Sequence, residues 1–113
     1  MRFRYSVAAL LLVLAALGYP VTSAPADPKA VSKTYTVLIR RSKFVPQRLE
    51  VAVGDTIVWQ NEDIVPHTAT ANKFFDSGEL DRGRSWTYVP KQKGSFRYLC
   101  AYHPTMKGEL VVK

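Results

Sequence analysis

Three side chains with an affinity for soft metals fall within seven residues near the C-terminus. They are the thiol of Cys100, the imidazole of His103 and the thioether of Met106 in Cys100-Ala101-Tyr102-His103-Pro104-Thr105-Met106. A tight loop with the spacing C-x2-H-x2-M can fold all three towards one point. A second imidazole, His67, lies 33 residues before Cys100, after Asn61-Glu62-Asp63-Ile64-Val65-Pro66. If the two loops share one end of the fold, four groups converge. Two imidazoles, a thiolate and a thioether suit copper, which takes nitrogen and soft sulfur donors in a trigonal site with a long axial bond. Zinc tolerates two His and one Cys but gains little from a thioether.

The inventory sharpens this reading. The chain holds one Cys, two His and two Met, one Met being the initiator. No internal disulfide can form, and neither a four-cysteine nor a two-cysteine, two-histidine zinc site can be built. Each residue alone has an ordinary explanation: a buried Cys is a small hydrophobe, a Met fills core, a His hydrogen-bonds in a turn. Those four explanations would have to hold together, although the only Cys, both His and the only internal Met fall in one pattern.

The elements that must position these groups read as strands. Tyr35, Val37 and Ile39 share one parity, and Leu49, Val51 and Val53 another. Gly54-Asp55 then turns the chain into Thr56-Ile57-Val58-Trp59-Gln60. Trp86-Thr87-Tyr88-Val89, Ser95-Phe96-Arg97-Tyr98-Leu99 and Leu110-Val111-Val112 follow. Period two, short runs and Gly, Pro or Asp breaks predict a small antiparallel sandwich or barrel. Phe96 and Tyr98 are expected to face the core and so to fix the backbone at Cys100. No segment shows a helical apolar stripe, an internal repeat or a second domain.

The N-terminus reads as an address. Met1-Arg2-Phe3-Arg4 is basic, residues 7–17 are an unbroken apolar run, and Gly18, Pro20 and small residues follow. That layout predicts a signal peptide over residues 1–23, with cleavage after Ser23 or after Ala26. The apolar run is too short to span a bilayer, so no membrane span is expected once it is removed. Residues 24–32 are a Pro- and Ala-rich flexible leader, and residues 33–113 form the domain. The protein is expected to be exported, to the periplasm of a bacterium. Net charge is +7, and without Arg2 and Arg4 the 16 basic residues fall to 14 against 9 acidic, about +5. The cations are scattered through turns such as Arg40-Arg41-Ser42-Lys43 and Arg82-Gly83-Arg84, which excludes a nucleic-acid footprint and leaves a preference for acidic partners.

The run Val53-Gly54-Asp55-Thr56-Ile57-Val58-Trp59-Gln60-Asn61, then Pro66-His67, then Tyr98-Leu99-Cys100 with His103 and Met106, resembles a cupredoxin. The short C-x2-H-x2-M loop is most similar to the amicyanins within the plastocyanin-like group. The resemblance spans about residues 34–113. It implies an all-β Greek-key β-sandwich of about 7–8 strands holding one type 1 (blue) copper. His67, Cys100 and His103 would be its equatorial ligands and Met106 its weak axial one. It implies a monomeric one-electron carrier rather than an enzyme. His103 would be the solvent-facing ligand, amid Ile64, Val65, Pro66, Pro104 and Thr105, where a redox partner would dock; an acidic face on that partner is expected from the net charge, not from the resemblance.

The positive charge is unlike the acidic surface common among amicyanins, and two departures stand out within the motifs. Thr68 replaces the Asn or Ser that usually ties the ligand loops together, and Tyr102 replaces the Pro that amicyanins carry before the loop His. Tyr102 restores a backbone N–H, which is expected to point at the Cys100 sulfur. A copper carrier or buffer would use similar ligands, but in a more exposed site and often with several Met or His. An enzyme is disfavoured, since no His is left over for acid–base work and no nucleophile motif is present.

Overall fold

Alternating apolar residues become strands throughout the domain. The computed structural model describes residues 16–20 and 31–113. Most of the expected signal peptide and leader therefore lies outside the described residues. Among those described, no helix is long and apolar enough to cross a membrane. Nine strands follow in order: β1 (Thr34–Arg40), β2 (Lys43–Val45), β3 (Arg48–Val51), β4 (Thr56–Asn61), β5 (Thr70–Ala71), β6 (Phe75–Asp76), β7 (Ser85–Tyr88), β8 (Gly94–Cys100) and β9 (His103–Val112). They form a four-stranded sheet, β2-β1-β4-β7, and a five-stranded sheet, β3-β9-β8-β5-β6. The count exceeds the expected 7–8 because β5 and β6 are only two residues long.

The sheets are mixed, which corrects the antiparallel expectation. β1 runs parallel to β4, from Thr34 opposite Thr56 to Ile39 opposite Asn61. β3 runs parallel to β9, from Arg48 opposite Glu109 to Val51 opposite Val112. Side chains alternate with period two in either pairing, so alternation says nothing about strand direction. The chain crosses to the other sheet for β3 and returns for β4, which brings β4 beside β1.

The core lies between the two sheets. Val37 and Ile39 of β1, Ile57 and Trp59 of β4, Phe96 and Tyr98 of β8, and Leu110 and Val112 of β9 all point into it. Each such apolar side chain contributes about 1.5–3 kcal/mol on burial. Trp59 is the hub, with its ring centroid 5.6 Å from Tyr98 in a T-shaped contact, 5.4 Å from Phe75 and 5.6 Å from Trp86. Tyr98 packs against Gly108, where a Cβ would collide with its ring. This rigid aromatic centre fixes β8, and β8 ends at Cys100.

Candidate metal centre

Each donor is set by a strand or by a hydrogen-bonded segment joined to one. Cys100 falls on the inward parity of Phe96 and Tyr98 and is fully buried, as its place at the end of β8 requires. Ala101 and Tyr102 make the tight turn that brings His103 opposite Cys100 at the start of β9. His103 is thus on a strand, where a loop residue was expected. The ladder is irregular there: Leu99 pairs with Lys107, whereas Cys100 pairs with His103. The intervening Pro104, Thr105 and Met106 bulge out of register, a device that re-aims side chains at the end of a sheet. Met106 is buried within this bulge and lines one recess with His103 and Thr105.

His67 arrives from the other side. Its backbone pairs with Leu80 in both directions, N–H to O at 3.1 Å and O to N–H at 2.8 Å. Asn61, on the inward parity of Ile57 and Trp59, reaches across with its amide. The Asn61 Nδ2 donates to Val65 O at 2.9 Å and to Leu80 O at 2.8 Å, and its Oδ1 accepts from Asp63 N–H at 2.9 Å. The loop over residues 62–66 is therefore clamped at both ends, and His67 is fully buried.

The two segments meet on the Cys100 sulfur. Sγ lies 3.6 Å from His67 Nδ1 and 3.6 Å from His103 Nδ1. The three donor atoms lie within 4.8 Å of one another. Two imidazole nitrogens and one sulfur at this spacing are positioned as the equatorial donors of a type 1 copper site, and one copper ion is the cofactor they fit. Thr68 joins the segments: its Oγ1 accepts from Ala101 N–H at 2.8 Å, and its own N–H donates to Sγ at 3.4 Å. The hydroxyl thus ties the ligand segments in place of the usual Asn or Ser. The N–H···S contact, however, comes from Thr68 and not from Tyr102, the residue expected to make it. Tyr102 instead turns outward, and its hydroxyl donates to Glu79 Oε1 at 3.3 Å.

Asp63 is a site residue that the sequence analysis did not single out. Its Oδ2 lies 2.8 Å from His67 Nε2. Burial pushes its carboxyl up, but the N–H groups of Ser42 and Arg41 and the bond to His67 outweigh that, leaving it below the ordinary aspartate value. The ionised carboxylate can only accept, so Nε2 carries the ring proton and the Nδ1 lone pair faces the sulfur.

A family model described as a cupredoxin-like domain matches residues 8–112. The chain belongs to that family. This cupredoxin is similar to the amicyanin of Paracoccus versutus, 26% identical over 100 residues that cover 83% of this chain and 73% of the relative. It is also similar to the plastocyanin of Nostoc punctiforme, 34% identical over 68 residues, 57% of this chain and 46% of that one. A solved amicyanin variant in its oxidized state superposes on this cupredoxin with a TM-score of 0.68 at 26% identity, covering 71% of this chain and 82% of the other.

Of the site residues, Asn61 was within reach of the sequence, because an amide on an apolar parity signals a buried polar group. Asp63 offered no such signal, since the two backbone N–H groups that hold it come from a separate hairpin.

Proposed function

We propose that this cupredoxin is a one-electron carrier, with His67, Cys100 and His103 as equatorial copper ligands and Met106 as the weak axial ligand. The observation that carries the reading is the pair of Nδ1 atoms, each 3.6 Å from Sγ, presented by two segments far apart in sequence. Copper held there supplies a Cu(II)/Cu(I) couple. The chain's own contribution is stiffness. His67 is fixed by Asp63 and by its pairing with Leu80, Cys100 by the packed end of β8, and the two segments are tied by Thr68. Donors that cannot relax towards either oxidation state keep the rearrangement on electron transfer small.

The exit for an electron is His103, the one donor of the three that is partly exposed. Ile64, Val65, Tyr102 and Pro104 are exposed on the same two ligand-bearing segments and offer apolar contact for brief docking with a redox partner. A copper buffer would want an open site, whereas His67 and Cys100 are each 0% exposed. Export to the periplasm after loss of residues 1–23, or of three more, fits the same role. With about +5 on the mature chain, the partner presents an acidic face.

The copper-loaded protein is expected to show an intense band at about 600 nm with one copper per chain, and Cys100→Ser to abolish it. A blue Cys100→Ser protein would overturn the ligand assignment. Transfer to the partner is expected to slow as salt shortens the Debye length from about 30 to about 8 Å. A rate that is flat or rises with salt would remove the acidic face.

A further inference from the structure

The Asp63 carboxylate is held by three N–H groups at once. Oδ1 accepts from Arg41 N–H at 2.7 Å, while Oδ2 accepts from Ser42 N–H at 2.8 Å and from His67 Nε2 at 2.8 Å. Arg41 and Ser42 form the two-residue turn between β1 and β2, and both take positive φ, 50° and 55°. That turn geometry usually calls for Asn-Gly, because side chains disfavour it. Here it aims two successive N–H groups at one carboxylate. A hairpin remote in sequence thus clamps a negative charge against the far nitrogen of a fully buried imidazole.

We propose that Asp63 is a positioning residue that lowers the reduction potential of the copper site by acting through His67. The inference rests on the copper reading above and adds to it a residue that touches no metal. The charge balance gives the direction. Cu(II) with one thiolate and two neutral imidazoles carries +1. Asp63 brings the cluster to zero in the oxidised state and to −1 in the reduced state. An uncompensated buried charge is unfavourable, so the carboxylate favours Cu(II). Its hydrogen bond also makes Nδ1 a better donor, which acts in the same direction. The Arg41 side chain is exposed, so solvent screens its opposing charge.

The test is Asp63→Asn, read by protein-film voltammetry, the visible spectrum and the apoprotein's thermal stability. Loss of outer hydrogen bonds to metal ligands typically changes affinity about 10–100-fold. If Cu(II) affinity falls about tenfold while Cu(I) affinity holds, the potential rises by about 59 mV. A purely structural role would lower stability and leave the potential in place, so an unchanged or lower potential with an intact blue spectrum overturns the proposal. A wild type that is not blue would instead defeat the copper reading. If the variant does not fold, nitrogen NMR of the wild-type apoprotein decides. A His67 ring protonated at Nε2 and slow to exchange supports the proposal, and one protonated at Nδ1 overturns it.

Discussion

Replacing Thr68 by Val keeps the branched shape at this almost fully buried position and removes only the hydroxyl. Thr70 Oγ1 donates to Asp76 Oδ1 at 3.0 Å, so it accepts from the Thr68 hydroxyl at 2.9 Å. Thr68 Oγ1 in turn accepts from Ala101 N–H at 2.8 Å. Two hydrogen bonds are lost, at about 1 kcal/mol each. Ala101 is exposed and its bond to Thr68 is only partly buried, so no large additional penalty is added, and the sum is about 2 kcal/mol. For a domain of 60–100 residues, each kcal/mol shifts Tm by about 4–8 °C, which gives a fall of about 8–16 °C. Thermal unfolding of the apoprotein measures this without involving copper. Thr68→Ser keeps both bonds and gives up a methyl group, at about 1 kcal/mol, so it is expected to be the more stable of the two variants. Hydrogen exchange adds a local readout, since the Ala101 amide should lose protection in Thr68→Val alone. A Val variant as stable as the Ser variant, with Ala101 still protected, would refute the claim that this hydroxyl joins the ligand segments.

Three other outcomes follow from the same geometry. With Met106 as the axial donor proposed above, Met106→Leu should retain copper and raise the potential; an unchanged or lower potential on voltammetry would remove Met106 from the ligand set. Gly108→Ala places a Cβ 2.8 Å from Tyr98 Cε1 and closer still to Cζ, inside the aromatic core. It should destabilise by about 1–3 kcal/mol, and a wild-type Tm would contradict that. Burial pushes the Tyr98 phenol up to about 12 from 10.0. The fold favours the neutral form, so this contribution is complete below pH 10 and is lost as pH rises towards 12. Alkaline denaturation of Tyr98→Phe should therefore show a flatter pH dependence across that window, and an identical profile would refute it.

The amino-acid sequence by itself determined the Cys and His donors and most of the strands, though not the short β2, β5 and β6. Period-two alternation depends only on neighbouring residues, so Tyr35-Val37-Ile39, Ile57-Trp59 and Phe96-Tyr98 declared their inward faces without any partner. The three converging donors were legible because the chain carries so few His and Cys. C-x2-H-x2-M is also local: Cys100 and His103 flank a turn that two residues can close. Val53 shows where the pattern ran too far, since β3 ends at Val51 and Val53 is exposed. Tertiary structure decided what alternation cannot encode. The direction of β1 beside β4 depends on the crossing through β3, and the bulge over residues 104–106 depends on how β9 meets β8. The donor on the sulfur proved to be Thr68 N–H, 32 residues from Cys100, where local spacing had pointed to Tyr102. Asp63 reaches His67 across four residues, and the Arg41–Ser42 turn across more than twenty, because the β1–β2 hairpin folds back over the ligand loop. Such contacts arise from the closure of the sandwich, which sets distances that sequence separation does not contain.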